Sequence, residues 1–152
     1  MVRKMAKNSK KFSKKTPTRK GERDEEPGSL KEACDGLVLI SETEAPIIPF
    51  KGPRAEAISP EASAAAANVV YREPVEALSP AEFFDRLTTE KVWFGEDEKK
   101  NALRFRKLYA LLDEQLKNLT VYRFGKIRID IVAAGIDRTS RISGIKTQAV
   151  ET

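Results

Sequence analysis

From Val121 to Val150 apolar and polar residues alternate with a period of two, and this narrows the fold more than any other feature of the chain. A β-strand sends successive side chains to opposite faces, so the stretch reads as strands rather than helix. Val121 to Phe124 and Lys126 to Ala134 are predicted to be strands joined at Gly125, with Ile127, Ile129 and Ile131 alternating with Arg128, Asp130 and Val132. Gly135 to Ser140 reads as a turn, and Ile142 to Val150 as the last strand. On that strand Ile145, Thr147 and Ala149 share one face, and Lys146, Gln148 and Val150 the other. Val132 and Val150 interrupt the polar face, so the sheet is expected to be covered on both sides.

The preceding segments supply the cover. Ser29 reads as the N-cap of a short helix, LKEACD, with Glu32 at the capping-box position and Gly36 ending it. Leu37 to Ile40 is a short apolar run expected to form a buried strand, and Ser41 to Pro46 an acidic loop leaving it. Ile47 to Phe50 is expected to be extended, with Gly52-Pro53 stopping it. Ser59-Pro60-Glu61 combines an N-cap, a proline suited to the first helical turn and an acid that the helix dipole favours, followed by an alanine run. Val75 to Leu78 reads as a strand. Ser79-Pro80-Ala81-Glu82 starts a helix whose apolar face is Phe83, Phe84 and Leu87. Thr88 to Gly95 is a turn region holding Trp93 and Phe94, and the longest helix is predicted from Glu96 to Leu116. Its stripe is Phe105, Leu108, Leu112, Leu116 and Leu119. Helices interspersed with strands, then a run of strands, indicate an α+β domain: a mainly antiparallel sheet with helices on both faces.

Composition restricts the chemistry. The 152 residues contain no histidine, which removes the commonest general base, the Ser-His and Cys-His pairs and the usual transition-metal ligands. A single cysteine, Cys34, allows neither an internal disulfide nor a cysteine-rich zinc site, and reads as a small buried residue. No spaced glycine loop for a nucleotide is present. An enzyme is therefore not expected, nor a cofactor. No apolar run is long enough for a membrane span, and the basic start leads into no apolar signal core, so a cytoplasmic protein is expected.

The formal charge of +5 is unevenly divided. Residues 1–20 hold nine of the 28 Lys and Arg and no acid, leaving 19 basic against 23 acidic side chains in the rest. Residues 1–27 are accordingly expected to be a disordered basic tail, and residues 28–152 the domain. The tail reads either as a tether to nucleic acid, or a nuclear signal, or as a solvated aid to solubility. The mildly acidic body suits a basic partner surface better than a phosphate backbone.

Within the body, Glu42 and Glu44 form a carboxylate pair that acid–base or metal chemistry could use, but with no third ligand such as a histidine nearby a solvated loop accounts for them better than a self-contained active site. Asp97 and Glu98 are explained by the helix dipole. On composition alone, Trp93 and Phe94 read as core. If the last strand lies within the sheet, Glu151, Thr152 and the terminal carboxylate together present anionic oxygens and a hydroxyl at a defined position. Loop acids and an acidic chain end would suit another molecule's cations.

Four stretches carry a resemblance: LKEACDGLVLISETEAP (30–46), EFFDRLTTEKVWFGEDEKKNALRFRKLYALL (82–112), VYRFGKIRIDI (121–131) and ISGIKTQAVET (142–152). In this order they are similar to the nuclease A inhibitor family, through the Ser-Glu-(Ser/Thr)-(Glu/Asp) loop, the Trp-aromatic turn, the Val-Tyr-Arg-x-Gly entry and the terminal Val-Glu-Thr. The resemblance implies an α/β/α sandwich around a mainly antiparallel sheet. It also implies tight, non-covalent inhibition of a divalent-metal-dependent, sugar-non-specific DNA/RNA endonuclease. The loop glutamate, here Glu42, would engage arginines of the nuclease's substrate site. Trp93 would add to the interface, and Thr152 would reach the nuclease's metal, with Glu44 and Glu151 as supporting acids. Where the family places a Tyr-Pro-Phe run and then a tryptophan after the acidic loop, this chain has Ala45 to Phe50 without tryptophan, so the apolar surface beside Glu42 is expected to differ.

The expected function is thus inhibition by substrate mimicry, in a 1:1 complex of a monomeric inhibitor with a nuclease and its bound metal. The alternative is a non-inhibitory binding or adaptor module of the same fold, tethered to nucleic acid by its tail.

Overall fold

The computed structural model describes residues 29–89 and 91–152, so the expected tail at residues 1–27 lies outside the described residues. In chain order the elements are α1 (Ser29–Cys34), β1 (Val38–Ile40), β2 (Glu44–Pro46), β3 (Ile48–Arg54), α2 (Pro60–Ala67), β4 (Val75–Leu78), α3 (Pro80–Thr88), α4 (Glu96–Gln115), β5 (Lys117–Phe124), β6 (Arg128–Ile136) and β7 (Arg141–Val150). The chain divides into two units, Met1–Glu32 and Ala33–Thr152, and the second carries all the strands.

Five strands form one sheet in the order β3-β7-β6-β5-β4, and every strand pair among the described residues is antiparallel. The two-residue period expected at the C-terminal third sets its faces. Tyr122, Phe124, Val132, Ala134, Ile136 and Ile142 pack with Ala64 and Ala67 of α2 on one face. The intervening Val121, Ile129, Ile131, Ala133, Ile145 and Ala149 are buried on the other. There α3 and α4 pack on each other and against β5, with Phe84 stacked on Tyr109 at 4.8 Å between ring centroids. The helix stripe holds as far as Leu116: Phe105, Leu108, Leu112 and Leu116 are buried, whereas Leu119 lies in β5 and is half-buried. Full burial of each such side chain stabilises by about 1.5–3 kcal/mol. The architecture is the α/β/α sandwich around a mainly antiparallel sheet.

Helix starts follow the local signals. Ser59 and Ser79 accept hydrogen bonds from the N–H groups of Ala62 and Glu82, and each is followed by its proline. Gly95 has no capping side chain, but Glu98 reaches back to accept its N–H at 2.8 Å. After α1 the chain turns through Gly36 at φ +74°, and Arg104 of α4 donates to the carbonyls of Ala33 and Asp35, satisfying groups the short helix leaves open.

Three segments depart from expectation. The Ser41 to Pro46 loop is shorter, because Glu44–Pro46 is a strand paired with β1 as Val38↔Pro46, Leu39↔Ala45 and Ile40↔Glu44. Leu39 and Ala45 are both buried there. A three-residue strand has no periodic signal of its own; pairing and burial create it. Strand β3 runs through Gly52-Pro53 rather than stopping, since it is an edge strand with a register shift between Lys51 and Arg54, where proline is tolerated. Strand β5 begins at Lys117, earlier than Val121, by way of Asn118 at φ 59° and a register shift before Thr120.

The β6–β7 turn fixes the register on which the end of the chain depends. Asp137 accepts hydrogen bonds from the Thr139 N–H and hydroxyl, the Arg141 N–H and the Ser143 hydroxyl. Its partial burial alone would raise its pKa, but these bonds together hold it below the ordinary aspartate value. From Ile136↔Ile142 the pairing then runs without interruption to Arg128↔Val150. Gly144, within it, has no room for a Cβ, which would meet the Ala133 carbonyl. Gly144→Ala is therefore expected to destabilise the chain by about 1–3 kcal/mol or more, read as a lower denaturation midpoint; an unchanged midpoint would show that β6 and β7 are packed less closely.

Candidate functional site

The loop between β1 and β2 and the end of β7 meet in one place. Ser41 begins the turn, with its N–H bonded to the Thr43 carbonyl at 2.8 Å and its hydroxyl within 3.4 Å of the Thr43 N–H. The same hydroxyl accepts the Val150 N–H at 3.0 Å, and the Glu42 N–H donates to the Val150 carbonyl at 3.3 Å. The loop thus serves as a further edge partner for the last residue of β7. This brings the Glu42 side chain over Thr152: Oε2 accepts the Thr152 N–H at 2.7 Å, and the Thr152 hydroxyl lies 2.8 Å and 3.0 Å from the two carboxylate oxygens.

A second set of bonds holds the residue between. The Glu151 N–H donates to the Ile127 carbonyl at 2.9 Å, and Arg123 of β5 donates to the Glu151 carboxylate at 2.7 Å. The other end of the Arg123 guanidinium is 3.7 Å from Glu76 of β4, its register partner across the sheet. The corner therefore carries Glu42, Glu76 and Glu151, with Arg123 between two of them, and Glu44 stands exposed at the start of β2. Ile40, 61% exposed, is the strand partner of Glu44 and precedes the loop that carries Glu42.

The Thr152 amide, and then its hydroxyl, stabilise the charged form of Glu42 and hold its carboxyl below the ordinary glutamate value, outweighing a smaller opposing effect of desolvation. Because the folded value is lowered, the Glu42–Thr152 contact is fully present above the ordinary glutamate range and is lost as pH falls through the lowered value.

Of the residues singled out from the sequence, the structure brings Glu42, Glu151 and Thr152 together. Trp93 belongs to a different part of the chain, the turn between α3 and α4. The core reading from composition does not hold for it: Trp93 is 70% exposed and packs edge-on against Phe94 at 4.8 Å. The reason is local, since Val92 beside it is also exposed and the turn stands off the core. Cys34 is buried as expected, and desolvation, partly offset by Arg104, pushes its thiol up to about 11, so it is unreactive at neutral pH.

Sequence reasoning gave no role to Ser41 and Arg123, although both stand in the motifs of the resemblance, and passed over Glu76 and the Ile127 carbonyl. Ser41 reads as an ordinary loop serine and Arg123 as a polar residue of an alternating strand; only the fold reveals what they fasten. Among the described residues, no group of three or more His, Cys, Asp or Glu side chains is gathered as a metal would require. No helix among them is long and apolar enough to cross a membrane.

The α/β/α sandwich thus presents a loop carboxylate against the end of its last strand. The chain belongs to the nuclease A inhibitor-like protein family, whose model matches residues 25–152. A comparison with curated proteins finds no match.

Carboxyl titration of Glu42 by NMR is expected to give a pKa below the ordinary glutamate value, returning to it when Thr152 is removed. A normal value in the intact chain would mean that the contact does not persist in solution.

Proposed function

We propose that this chain is a protein inhibitor of a divalent-metal-dependent, sugar-non-specific DNA/RNA endonuclease, and that it blocks the active site by offering acids where the substrate offers phosphates. The observation that carries the proposal is the pair of contacts between Glu42 and Thr152, which gathers a carboxylate and a hydroxyl at one exposed corner. Membership of the nuclease A inhibitor-like family supports the nuclease as the partner. The functional domain is residues 28–152, and residues 1–27 are an appended basic tail.

The chemistry follows from what a nuclease cleft must hold. Phosphodiester oxygens are bound there by arginines and a hard divalent cation. An arginine accepts a carboxylate bidentately much as it accepts phosphate, which is the role of Glu42. A hard cation accepts oxygen ligands, hydroxyl or carboxylate, which is the role of the Thr152 end toward the partner's metal. Trp93, with most of its ring open to solvent, provides the apolar anchor of an interface hot spot. Glu44 and Glu151 strengthen the negative field that draws in a basic cleft. No scissile bond is presented, so the complex is a dead end, formed 1:1 by a monomeric inhibitor in the cytoplasm.

Two measurements test this. The 152-residue chain, titrated into a metal-dependent, sugar-non-specific nuclease, is expected to abolish cleavage of DNA and RNA alike at stoichiometric amounts. Glu42→Ala and removal of Thr152 should each weaken inhibition by about two orders of magnitude, and Trp93→Ala by about tenfold or more. A chain that leaves such nucleases fully active at micromolar concentration, yet shifts nucleic acid only when residues 1–27 are present, would instead be a tethered binding module.

A further inference from the structure

We propose that Arg123 and Glu151 form a clamp that positions Thr152 against Glu42, so that Glu151, beyond its share of the negative field, fastens its own chain rather than contacting a partner's cations. This rests on reading the Glu42–Thr152 corner as the inhibitory site.

The reason lies in where the sheet ends. Val150 is the last residue of β7 with a register partner, Arg128. Residues that continue past their strand neighbours fray unless something fastens them. Glu151 has two fastenings, its N–H on the Ile127 carbonyl and its carboxylate on Arg123. Arg123 lies on β5, and β6 separates β5 from β7, so the ion pair reaches across the entry to β6. Together the two bonds fix residue 151 on one side, while Ser41 and the Glu42 N–H fix Val150 on the other. Thr152 is then held at the distance at which Glu42 can bond both its amide and its hydroxyl.

Arg123 is suited to this task. Its side chain is only 14% exposed and its guanidinium is permanently charged. Glu76 supplies a second carboxylate, so the arginine is balanced within the free chain by two acids from opposite margins of the site. A carboxylate engaged at 2.7 Å by such a group is not free to serve a partner's arginine without giving up its hold on the chain end. The Glu42 carboxylate, in contrast, faces solvent with only Thr152 as its hydrogen-bond partner among the described residues. The two glutamates therefore divide the work: Glu42 contacts the partner, and Glu151 with Arg123 are positioning residues.

The test follows the Glu42 carboxyl titration and nuclease inhibition together in 152-residue Arg123→Met, Arg123→Lys, Glu151→Gln and Arg123→Met/Glu151→Gln chains. The clamp predicts that Arg123→Met and Glu151→Gln each return the Glu42 titration toward its ordinary value and weaken inhibition on the order of tenfold. The double variant should be no worse than either single one, and Arg123→Lys should restore much of both readouts. If Glu151→Gln weakens inhibition while the Glu42 titration stays where it was, Glu151 contacts the partner directly and the clamp is wrong. If neither readout moves, the clamp is equally wrong. Should Arg123→Met fail to fold, Glu151→Gln, at an exposed position, decides alone. Should the unaltered chain inhibit no nuclease, the functional reading fails, while the titration still decides whether the clamp exists.

Discussion

The backbone pairing between Val150 and the Ser41–Glu42 loop converts the end of a strand into a fixed part of the surface. Strand β7 is held in register by β6 along its length and by β3 over its first half. Beyond Lys146, where β3 runs out, the β1–β2 loop takes over as the neighbour and satisfies the Val150 N–H and carbonyl. Buried or half-buried backbone groups require such partners, and here the partner that meets the requirement also carries Glu42. The acid and the residue it bonds are thus brought together by the same hydrogen bonds that finish the sheet. Other features support this junction: Asp137 sets the register upstream, Gly144 allows β6 and β7 to lie close, and Arg104 pins the turn between α1 and β1.

Much of the framework is legible in the sequence because its signals are local. The serine–proline pairs at Ser59 and Ser79, the stripe on α4 and the alternation through β6 and β7 each state an element without reference to the rest. What was not legible depends on partners distant in sequence. Glu44–Pro46 becomes a strand only because Leu39 and Ala45 are buried together; Gly52-Pro53 stays extended only because β3 is an edge. Trp93 shows the opposite failure: composition argues for burial, and the turn that carries it leaves most of the residue open to solvent.

The site was legible in its acids and not in its scaffolding. Glu42 and Thr152 could be picked out as oxygen donors, and their meeting requires β7 to be a full sheet strand, as the alternation predicts. Ser41 and Arg123 stand in motifs of the resemblance and Glu76 in none, but the role of all three was hidden, since serine in a loop and a charged pair on neighbouring strands are ordinary solvated features. Their function exists only in three dimensions, where one hydroxyl and one guanidinium fasten the last residues from two sides. The free chain consequently presents its corner already assembled, and preorganisation of this kind lowers the ordering cost of binding.

Steady-state kinetics of a metal-dependent, sugar-non-specific nuclease at graded substrate concentrations tests the central claim most directly. A decoy for nucleic-acid phosphates competes with substrate, so the apparent inhibition constant should rise in proportion to substrate concentration while the maximal rate is recovered at saturation. An inhibition constant that ignores substrate, with a lowered maximal rate, would place the chain away from the nuclease's active site and contradict the account.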